Sequence, residues 1–146
     1  MIREWQEKDI GEITILLNQL ENDLNENNEI MSEAVYEHYK KMKKNEVYAS
    51  YVYEEQNNVV GFISVVFYRS VFHKNGTALV NELVIDNMHR GKGIGKKLLD
   101  YAINEALIRE MDEIEVGVMK ENKKAIHFYK SNGMNEEYYL LGKEFE

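Results

Sequence analysis

The sequence predicts an α/β fold, because segments that alternate as strands and segments with helical spacing follow one another along the chain. In the clearest case an apolar strand ends at Asp86, a glycine-rich loop follows, and an amphipathic helix begins directly after it. A second signal is the pair of strand-like runs at 47–54 and 59–67, which a Gln-Asn-Asn turn separates. The predicted order of elements is β-α-α-β-β-β-α-β-α-β, without an internal repeat.

The first predicted strand covers Ile2–Trp5, and apolar residues at helical spacing predict a first helix from about Ile10 to Asn22. Asp9 is the expected N-cap, with Glu12 three residues later as in a capping box. Ser32 is the expected cap of a second helix. The second helix has four apolar side chains on one face: Val35, Tyr36, Tyr39 and Met42.

The second half of the chain begins with a central strand, predicted at Thr77–Ile85. The apolar face of the long helix after it contains Ile94, Leu98, Leu99, Ala102 and Ala106. Alternation predicts another strand at Glu113–Met119, and Asn122 is the expected cap of a fourth helix. We expect Met134–Glu146 to supply the last strand or two.

The composition favours one cytosolic domain over residues 1–146, a length that buries about two-thirds of the unfolded surface. The longest apolar run, Val59–Phe67, is far below the roughly 18 residues of a membrane span, and the N-terminal residues lack a signal-peptide core. The chain has no cysteine, which excludes disulfides, thiolate metal sites and a cysteine acyl-enzyme. Its net charge of −8 argues against a general nucleic-acid binder.

The glycine loop at residues 91–95 has the features of an anion site. Glycine at positions 91, 93 and 95 lets the backbone approach a ligand closely. The first amides of the following helix lack intrahelical acceptors, and the helix dipole adds roughly +0.5 charge there. Four basic side chains surround the loop: Arg90, Lys92, Lys96 and Lys97. This combination predicts a phosphate or pyrophosphate ligand.

Two familiar phosphate loops do not fit the spacing. The dinucleotide pattern GxGxxG requires Gly at position 96, where this chain has Lys96. The pattern GxxxxGK[ST] requires Gly at position 90 and Ser or Thr at position 97, where the chain has Arg90 and Lys97. Taken alone, the loop is then either another class of phosphate site or an ordinary turn at the start of a helix.

A second motif lies downstream, where Asn122, Ala125, Phe128, Tyr129 and Gly133 follow the pattern N-x-x-A-x-x-F-Y-x-x-x-G. Together with Arg-x-x-Gly-x-Gly at residues 90–95, this pattern strongly resembles the GNAT superfamily of acetyl-CoA-dependent N-acetyltransferases. The resemblance covers residues 78–133 well and the remainder loosely. It implies a mixed, strongly twisted and mostly antiparallel sheet of six to seven strands, with about four helices distributed over both faces.

The resemblance implies acetyl-CoA as co-substrate and no metal. The glycine loop matches the family's pyrophosphate loop, the end of the central strand matches the strand that pairs with pantetheine, and the second motif lies beside the cofactor's arm. The amide of Ile85 is the best candidate to polarise the thioester carbonyl, a contribution of roughly 3 kcal/mol for one such donor. The expected cofactor-binding residues are Leu83, Val84, Ile85, Arg90, Gly91, Lys92, Gly93, Ile94, Gly95, Lys96, Asn122 and Ala125.

Two residues are the candidates for proton transfer. Tyr129 matches the family's general acid, and a phenol near pKa 10 can return a proton to a leaving thiolate. Glu82 is a candidate base, directly or through water; the alternatives for this residue are a structural ion pair or a surface position. Since His73, His89 and His127 lack metal-ligand spacing, we interpret them as surface or packing residues.

The acceptor is not legible in the sequence, although the resemblance implies a small-molecule amine. Five acids between the first two helices favour a cationic one: Glu21, Asp23, Glu26, Glu29 and Glu33. A solvated loop is the alternative reading of that stretch. Direct transfer to a primary amine is the expected reaction; a catalytically silent acyl-CoA sensor and an enzyme for protein amines are the alternatives. No nucleic-acid or membrane partner is expected, and a homodimer remains open.

Overall fold

The computed structural model describes residues 1–24 and 28–146. Its strands and helices are β1 Ile2–Glu4, α1 Ile10–Asp23, α2 Ser32–Lys43, β2 Tyr48–Glu55, β3 Asn58–Tyr68, β4 Thr77–Ile85, α3 Ile94–Ile108, β5 Glu113–Val116 and α4 Lys123–Ser131. Single 3₁₀ turns cover Glu7–Asp9 and Asn87–His89. In the described parts of the chain, no helix is long and apolar enough to cross a membrane.

The strands form one sheet in which the spatial order is the same as the chain order, β1-β2-β3-β4-β5. The first three pairings are antiparallel, and only β4 and β5 run parallel. Helices α1 and α2 pack on one face of the sheet, while α3 packs on the other. The α/β prediction and the mixed, mostly antiparallel sheet are therefore confirmed, with five strands in the described residues rather than six or seven.

The missing strand was expected at the C-terminal end of the chain. Residues 134–146 form no strand, and residues 135–146 are exposed. An alternating apolar pattern becomes a strand only where a free sheet edge and a core receive it. The strand predicted at Glu113–Met119 is likewise shorter, because its pairing with β4 ends at Val80 opposite Val116.

Of the two caps predicted for the first two helices, one is confirmed in position only and the other is wrong. Asp9 is the N-cap residue of α1, as predicted, but its side chain makes no cap hydrogen bond. Its carboxylate instead accepts hydrogen bonds from Arg3 and from the Gln6 amide. Glu12 accepts the Val59 amide of β3 at 2.9 Å and so completes no capping box. Ser32 is the first residue of α2 and not its cap. In each case a tertiary contact or a one-residue offset replaced a local interaction that the sequence pattern suggested.

A bulge divides β4 into two halves. Ser64 of β3 lies opposite Glu82 and Val65 lies opposite Val80, so Asn81 is the extra residue. Before the bulge, Ala78 and Val80 belong to the cluster under α3. After it, odd-numbered Leu83 and Ile85 pack against that cluster, while Val84 belongs to the cluster under α1 and α2. The extra residue thus exchanges the faces of the strand and bends it away from β5.

Close packing of α3 on the sheet depends on Gly61 in β3. A Cβ at this position would lie 2.9 Å from Leu98 Cδ1, 3.1 Å from Ile85 Cδ1 and 3.3 Å from Ile94 Cγ2. We expect Gly61→Ala to lower the free energy of unfolding by about 1–3 kcal/mol, the typical range for overpacking a core. Urea denaturation measures this change.

Gly11→Ala is the matched control, because a Cβ at Gly11 meets nothing within 4 Å. In helix α1 the same substitution should stabilise, by up to about 1 kcal/mol. Equal effects of the two substitutions would contradict the account of α3 packing.

Candidate active site

The second half of β4 has an edge that the sheet does not use. Beyond Val80 no strand lies beside that edge in the described parts of the chain. The amide of Asp86 donates to Val60 O of β3 at 2.8 Å. Because successive N–H groups of a strand alternate in direction, the amides of Ile85 and Leu83 point to the opposite, unpaired edge. These amides are free to bind an extended ligand.

The glycine loop connects the end of β4 to the beginning of α3. Gly91 and Gly93 have φ of 76° and 81°, left-handed values that glycine adopts without strain. Gly93 is the N-cap and has no side chain to offer, and the first amide bonded within α3 is that of Lys97, to Gly93 O at 3.1 Å. Among the residues described, the amides at 94–96 have no acceptor. The loop thus presents three unpaired amides at a helix N-terminus, which is the arrangement that anions bind in other proteins.

Helix α4 packs its aromatic residues against this region. The Asn122 side chain caps the helix by accepting the Ala125 amide at 3.1 Å, which confirms the predicted cap. The Phe128 ring lies against Gly95, where a Cβ would be 3.4 Å from Phe128 Cζ. A Cβ at Gly95 would therefore already be in van der Waals contact with the ring, and a longer side chain would compete with Phe128 for the same space.

Tyr129 is half-buried and packs against the cluster on the α3 face. Its ring meets Phe128 edge-on, with 5.1 Å between ring centres. Within the described chain the phenol oxygen has no hydrogen-bond partner, and burial raises the pKa of Tyr129 to about 12. The phenol consequently keeps its proton at neutral pH and can donate a hydrogen bond to a ligand.

Glu82 lies on the other face of the sheet, the face covered by α1 and α2. Its carboxylate accepts a hydrogen bond from the Ser64 hydroxyl of β3, directly opposite in the strand register. Val84, two residues on, belongs to the cluster under α1 and α2. The two candidate proton-transfer residues are thus on opposite sides of β4 and do not meet.

A cavity of about 360 Å³ opens at the beginning of β4 and β5. Its lining residues are Tyr68, Ser70, His73, Thr77, Glu113, Glu115, Glu136 and Tyr138. On β5, Ile114 and Val116 pack toward α3, so the alternating Glu113 and Glu115 lie on the same sheet face as Glu82. The cavity was not predicted from the sequence. The alternating pattern of β5 could have indicated it, because its polar positions, Glu113 and Glu115, line the cavity.

Two of the glutamates that line the cavity, Glu113 and Glu115, make hydrogen bonds with neighbouring side chains. Glu113 accepts from Thr77 Oγ1 at 3.0 Å and lies 3.1 Å from His73 Nε2. The Tyr68 hydroxyl donates to Glu115, and this bond is the main reason that the pKa of Tyr68 is raised. The cavity is therefore acidic and aromatic at once.

Comparison with known proteins agrees with this geometry. The model of the Acetyltransferase (GNAT) family matches residues 14–134. The chain belongs to this family. An uncharacterised N-acetyltransferase of Methanocaldococcus jannaschii is 33% identical over 106 residues, which are 72% of this chain and 47% of that protein. The chain thus spans about half the length of this archaeal relative.

Two further likenesses are informative. The spermidine N(1)-acetyltransferase of Vibrio cholerae is 26% identical over 136 residues, covering 84% of this chain and 75% of that enzyme. A crystal structure described as a transcriptional regulator from Bacillus halodurans superposes with a TM-score of 0.89 at 23% identity, covering 99% of both chains. At that identity the structural likeness shows the fold alone.

The GNAT loop of this chain fits the pyrophosphate of acetyl-CoA. The three free amides at 94–96 and the left-handed glycines satisfy the requirements of an anion, and the unpaired edge of β4 lies next to them in the chain. Within the described residues, no group of three or more His, Asp or Glu side chains could hold a metal ion.

Arg90 is already engaged. Its Nη2 atom lies 2.6 Å from Asp23 Oδ2 at the end of α1, and its Nε donates to Ile85 O at 3.1 Å. Asp23 is one of the five acids that the sequence analysis connected with a cationic acceptor, and in the structure it pairs with Arg90 of the loop. An anion that binds Arg90 must therefore share this guanidinium with Asp23 or displace the Asp23 carboxylate.

The three lysines of the loop and the first turn of α3 differ in the contacts that their side chains make. Lys96 Nζ pairs with Asp100 at 2.6 Å, one turn along α3. Lys97 Nζ lies 5.8 Å from the centre of the Tyr53 ring. Lys92 is exposed and has no ion pair with any residue that the structure describes. Lys92 is therefore the cation most available to an incoming anion.

A polar contact that the sequence did not reveal ties α1 to this loop. Gln19 donates to Asp86 Oδ1 at 3.0 Å and accepts the Asn87 amide at 3.0 Å. His89 Nδ1 lies 2.7 Å from Asp86 Oδ2, which explains the histidine as a structural residue. Hydrogen bonds from Gln19 and then from His89 hold the pKa of Asp86 below its ordinary value. Asp86, the residue that precedes the loop, is therefore held in place by Gln19 and His89.

The remaining predicted residues lie apart from this site or cannot be placed. Glu29 and Glu33 are exposed at the start of α2, and Glu21 is half-buried near the end of α1. Glu26 falls outside the described residues. His127 is exposed on α4, 3.5 Å from Ser131. The acids of this stretch therefore provide no enclosed site in the described structure.

The charge of the ligand can be tested at Gly93 with an isosteric pair. Asn and Asp both tolerate left-handed backbone and have the same size, so only Gly93→Asp adds a negative charge. We expect Gly93→Asp to weaken acetyl-CoA binding at least about tenfold more than Gly93→Asn, because a carboxylate repels the pyrophosphate. Isothermal titration calorimetry measures both. Equal affinities in the two folded variants would contradict the anion site.

Proposed function

We propose that this chain transfers the acetyl group of acetyl-CoA directly to a primary amine of a small cationic molecule. The observation that carries the proposal is the continuity of the unpaired β4 edge with the uncapped N-terminus of α3. Acetyl-CoA would bring the activated thioester. The absence of cysteine from the sequence favours direct attack by the amine over a covalent acyl-enzyme.

The binding roles follow from the backbone. The amides at 94–96, with Gly91, Gly93 and the nearby cations, would hold the pyrophosphate. The free edge at Leu83 and Ile85 would pair with the pantetheine amides. One of these amides, in our proposal that of Ile85, polarises the thioester carbonyl. A backbone donor of this kind is fixed before the substrate arrives, so no reorganisation opposes the reaction.

Tyr129 is proposed as the acid on the cofactor side. With its pKa raised to about 12, the phenol is a weaker acid than a thiol near 8.5, so full proton transfer is uphill. The hydroxyl therefore acts first as a hydrogen-bond donor that stabilises negative charge on the leaving sulfur. Its lack of another partner in the described chain leaves the hydroxyl available for that role.

Glu82 is proposed as the base on the acceptor side. An amine attacks only as its neutral form, and the proton it loses needs an acceptor within reach or through one water. Glu82 lies on the sheet face of α1 and α2, opposite to Tyr129. This division supports an arrangement in which cofactor and acceptor approach β4 from different sides.

The cavity at the start of β4 and β5 supports a cationic acceptor. It combines three carboxylates with two tyrosines, groups that attract ammonium charges and pack against methylene chains. It shares the sheet face of Glu82. The sequence similarity to a spermidine N(1)-acetyltransferase agrees with this chemistry.

The proposal is tested by release of free thiol from acetyl-CoA with a panel of amines. We expect turnover with polyamines, falling as ionic strength rises, and little turnover with neutral or anionic amines. Binding of acetyl-CoA without thiol release from any amine would identify an acyl-CoA-binding domain instead. Turnover only with peptide amines would point to a protein acceptor.

Tyr129→Phe keeps the ring and its packing and removes the hydroxyl. We expect kcat to fall about 10²–10⁴-fold, the usual contribution of a positioned acid, with little change in acetyl-CoA affinity. Tyr101→Phe is the control, because Tyr101 lies on the outer part of α3 against Tyr51. A fall in affinity without a fall in kcat would exclude the proposed role of Tyr129.

Glu113→Gln and Glu136→Gln test where the acceptor binds. If the cavity attracts the cation, each variant should raise KM for spermidine about 3–10-fold, an effect of roughly one ion pair, while kcat changes little. Glu29→Gln makes the same charge change on the exposed stretch before α2 and should leave KM unchanged. A raised KM in Glu29→Gln, with an unchanged KM in Glu113→Gln and Glu136→Gln, would indicate that the acceptor binds near the acids between α1 and α2 instead.

A further inference from the structure

A row of polar side chains crosses the sheet face beneath α1 and α2. Ser50 of β2 lies opposite Ser64 of β3, and Ser64 lies opposite Glu82 of β4. The two serines are 3% and 1% exposed. Their neighbours on this face are the apolar side chains of the core cluster under α1 and α2. Buried hydroxyls among apolar residues are unfavourable unless they have partners, so the row calls for an explanation.

The serines differ in what they contact. The Ser64 hydroxyl donates to Glu82 Oε2, whereas the Ser50 hydroxyl is buried without a hydrogen-bond partner in the described chain. A hydroxyl has one proton to donate, and Ser64 gives it to the carboxylate. No other side chain or amide donates to Glu82 among the residues described. Oε1 of Glu82 is therefore left for a ligand.

This single contact matters because of where Glu82 lies. It follows the bulge at Asn81, beyond which β4 has a neighbour on one edge only. A glutamate side chain has three rotatable bonds, and holding them in one conformation costs conformational entropy that a hydrogen bond must offset. Ser64 is on β3, a central strand paired on both sides, so its short side chain is a rigid anchor.

We propose that Ser64 is a positioning residue that holds Glu82 oriented to accept the proton of the attacking amine. The inference rests on the proposed function, in which Glu82 is the base. In the step the amine nitrogen bonds to the acetyl carbon, and its N–H proton passes to Oε1 of Glu82, directly or through one water. The thioester C–S bond then breaks, and coenzyme A leaves as a thiolate that accepts a hydrogen bond from Tyr129 and takes up a proton from solvent to become the free thiol. Ser64 keeps its proton throughout and bonds Oε2.

The test compares Ser64→Ala with Ser50→Ala in thiol-release assays. Both remove one buried hydroxyl from the same face of the same sheet, but only the first contacts Glu82. We expect Ser64→Ala to lower kcat about 10–100-fold, as loss of an orienting hydrogen bond does at other sites, with acetyl-CoA affinity unchanged. Ser50→Ala should retain wild-type kcat. Calorimetric acetyl-CoA binding shows that each variant is folded.

A double-mutant cycle with Glu82→Gln separates orientation from packing. If Ser64 acts through Glu82, Ser64→Ala should have no further effect in the Glu82→Gln background. An equal fall in both backgrounds would mean a structural role and overturn the inference. Ser64→Thr keeps the donor and should retain kcat within about threefold; a loss equal to that of Ser64→Ala would also overturn it.

The cycle distinguishes the two levels of the proposal. Wild-type kcat in Glu82→Gln would remove Glu82 as the base, and the role of Ser64 with it. A large fall in Glu82→Gln together with wild-type kcat in Ser64→Ala would leave the base in place and overturn the inference about Ser64 alone.

Discussion

The bulge at Asn81 is the constraint on which the rest of the site depends. Up to Val80, β4 is an ordinary inner strand with β3 on one side and β5 on the other. After one extra residue it bends away, and a strand that began in the middle of a sheet ends with a free edge. The edge exposes amides in the same part of the molecule in which the glycine loop begins. Without the bulge, parallel pairing with β5 would occupy these amides.

The same extra residue also changes which side chains meet which helices. Leu83 and Ile85 come to lie under α3, next to the N-terminus whose amides are free, while Glu82 turns to the face of α1 and α2. A regular strand would have put Glu82 under α3, where a carboxylate would be buried without its serine partner. The bulge therefore puts Leu83 and Ile85 on one face of the sheet and Glu82 on the other.

The helix N-terminus can serve as an anion site only because α3 sits close to the sheet. Gly61 leaves no side chain between β3 and α3, and Gly95 leaves room for the Phe128 ring of α4. These contacts are apolar and cover the helix on its inner side, while the loop residues remain exposed. The rigid packing below and the open amides above together give a preorganised site.

Much of this arrangement was predictable because its signals are local. The bounds of β4, the buried face of α3 and the Asn122 cap follow from alternation, helical spacing and cap chemistry within a few residues. The bulge was not predictable, since an extra Asn looks like any polar position of a strand. The Ser64–Glu82 contact and the Arg90–Asp23 pair join residues 18 and 67 positions apart.

The most direct measurement of the central claim is amide exchange resolved by residue, with and without coenzyme A. The account predicts that coenzyme A protects the amides of Ile94, Gly95 and Lys96 together with those of Leu83 and Ile85. The amide of Phe67, which donates to Val47 O at the opposite end of β3 from Gly61 and Ile85, should exchange at the same rate in both samples. Protection at the helix N-terminus alone would contradict pairing at the β4 edge, and unchanged exchange at both places under saturating coenzyme A would contradict the site itself.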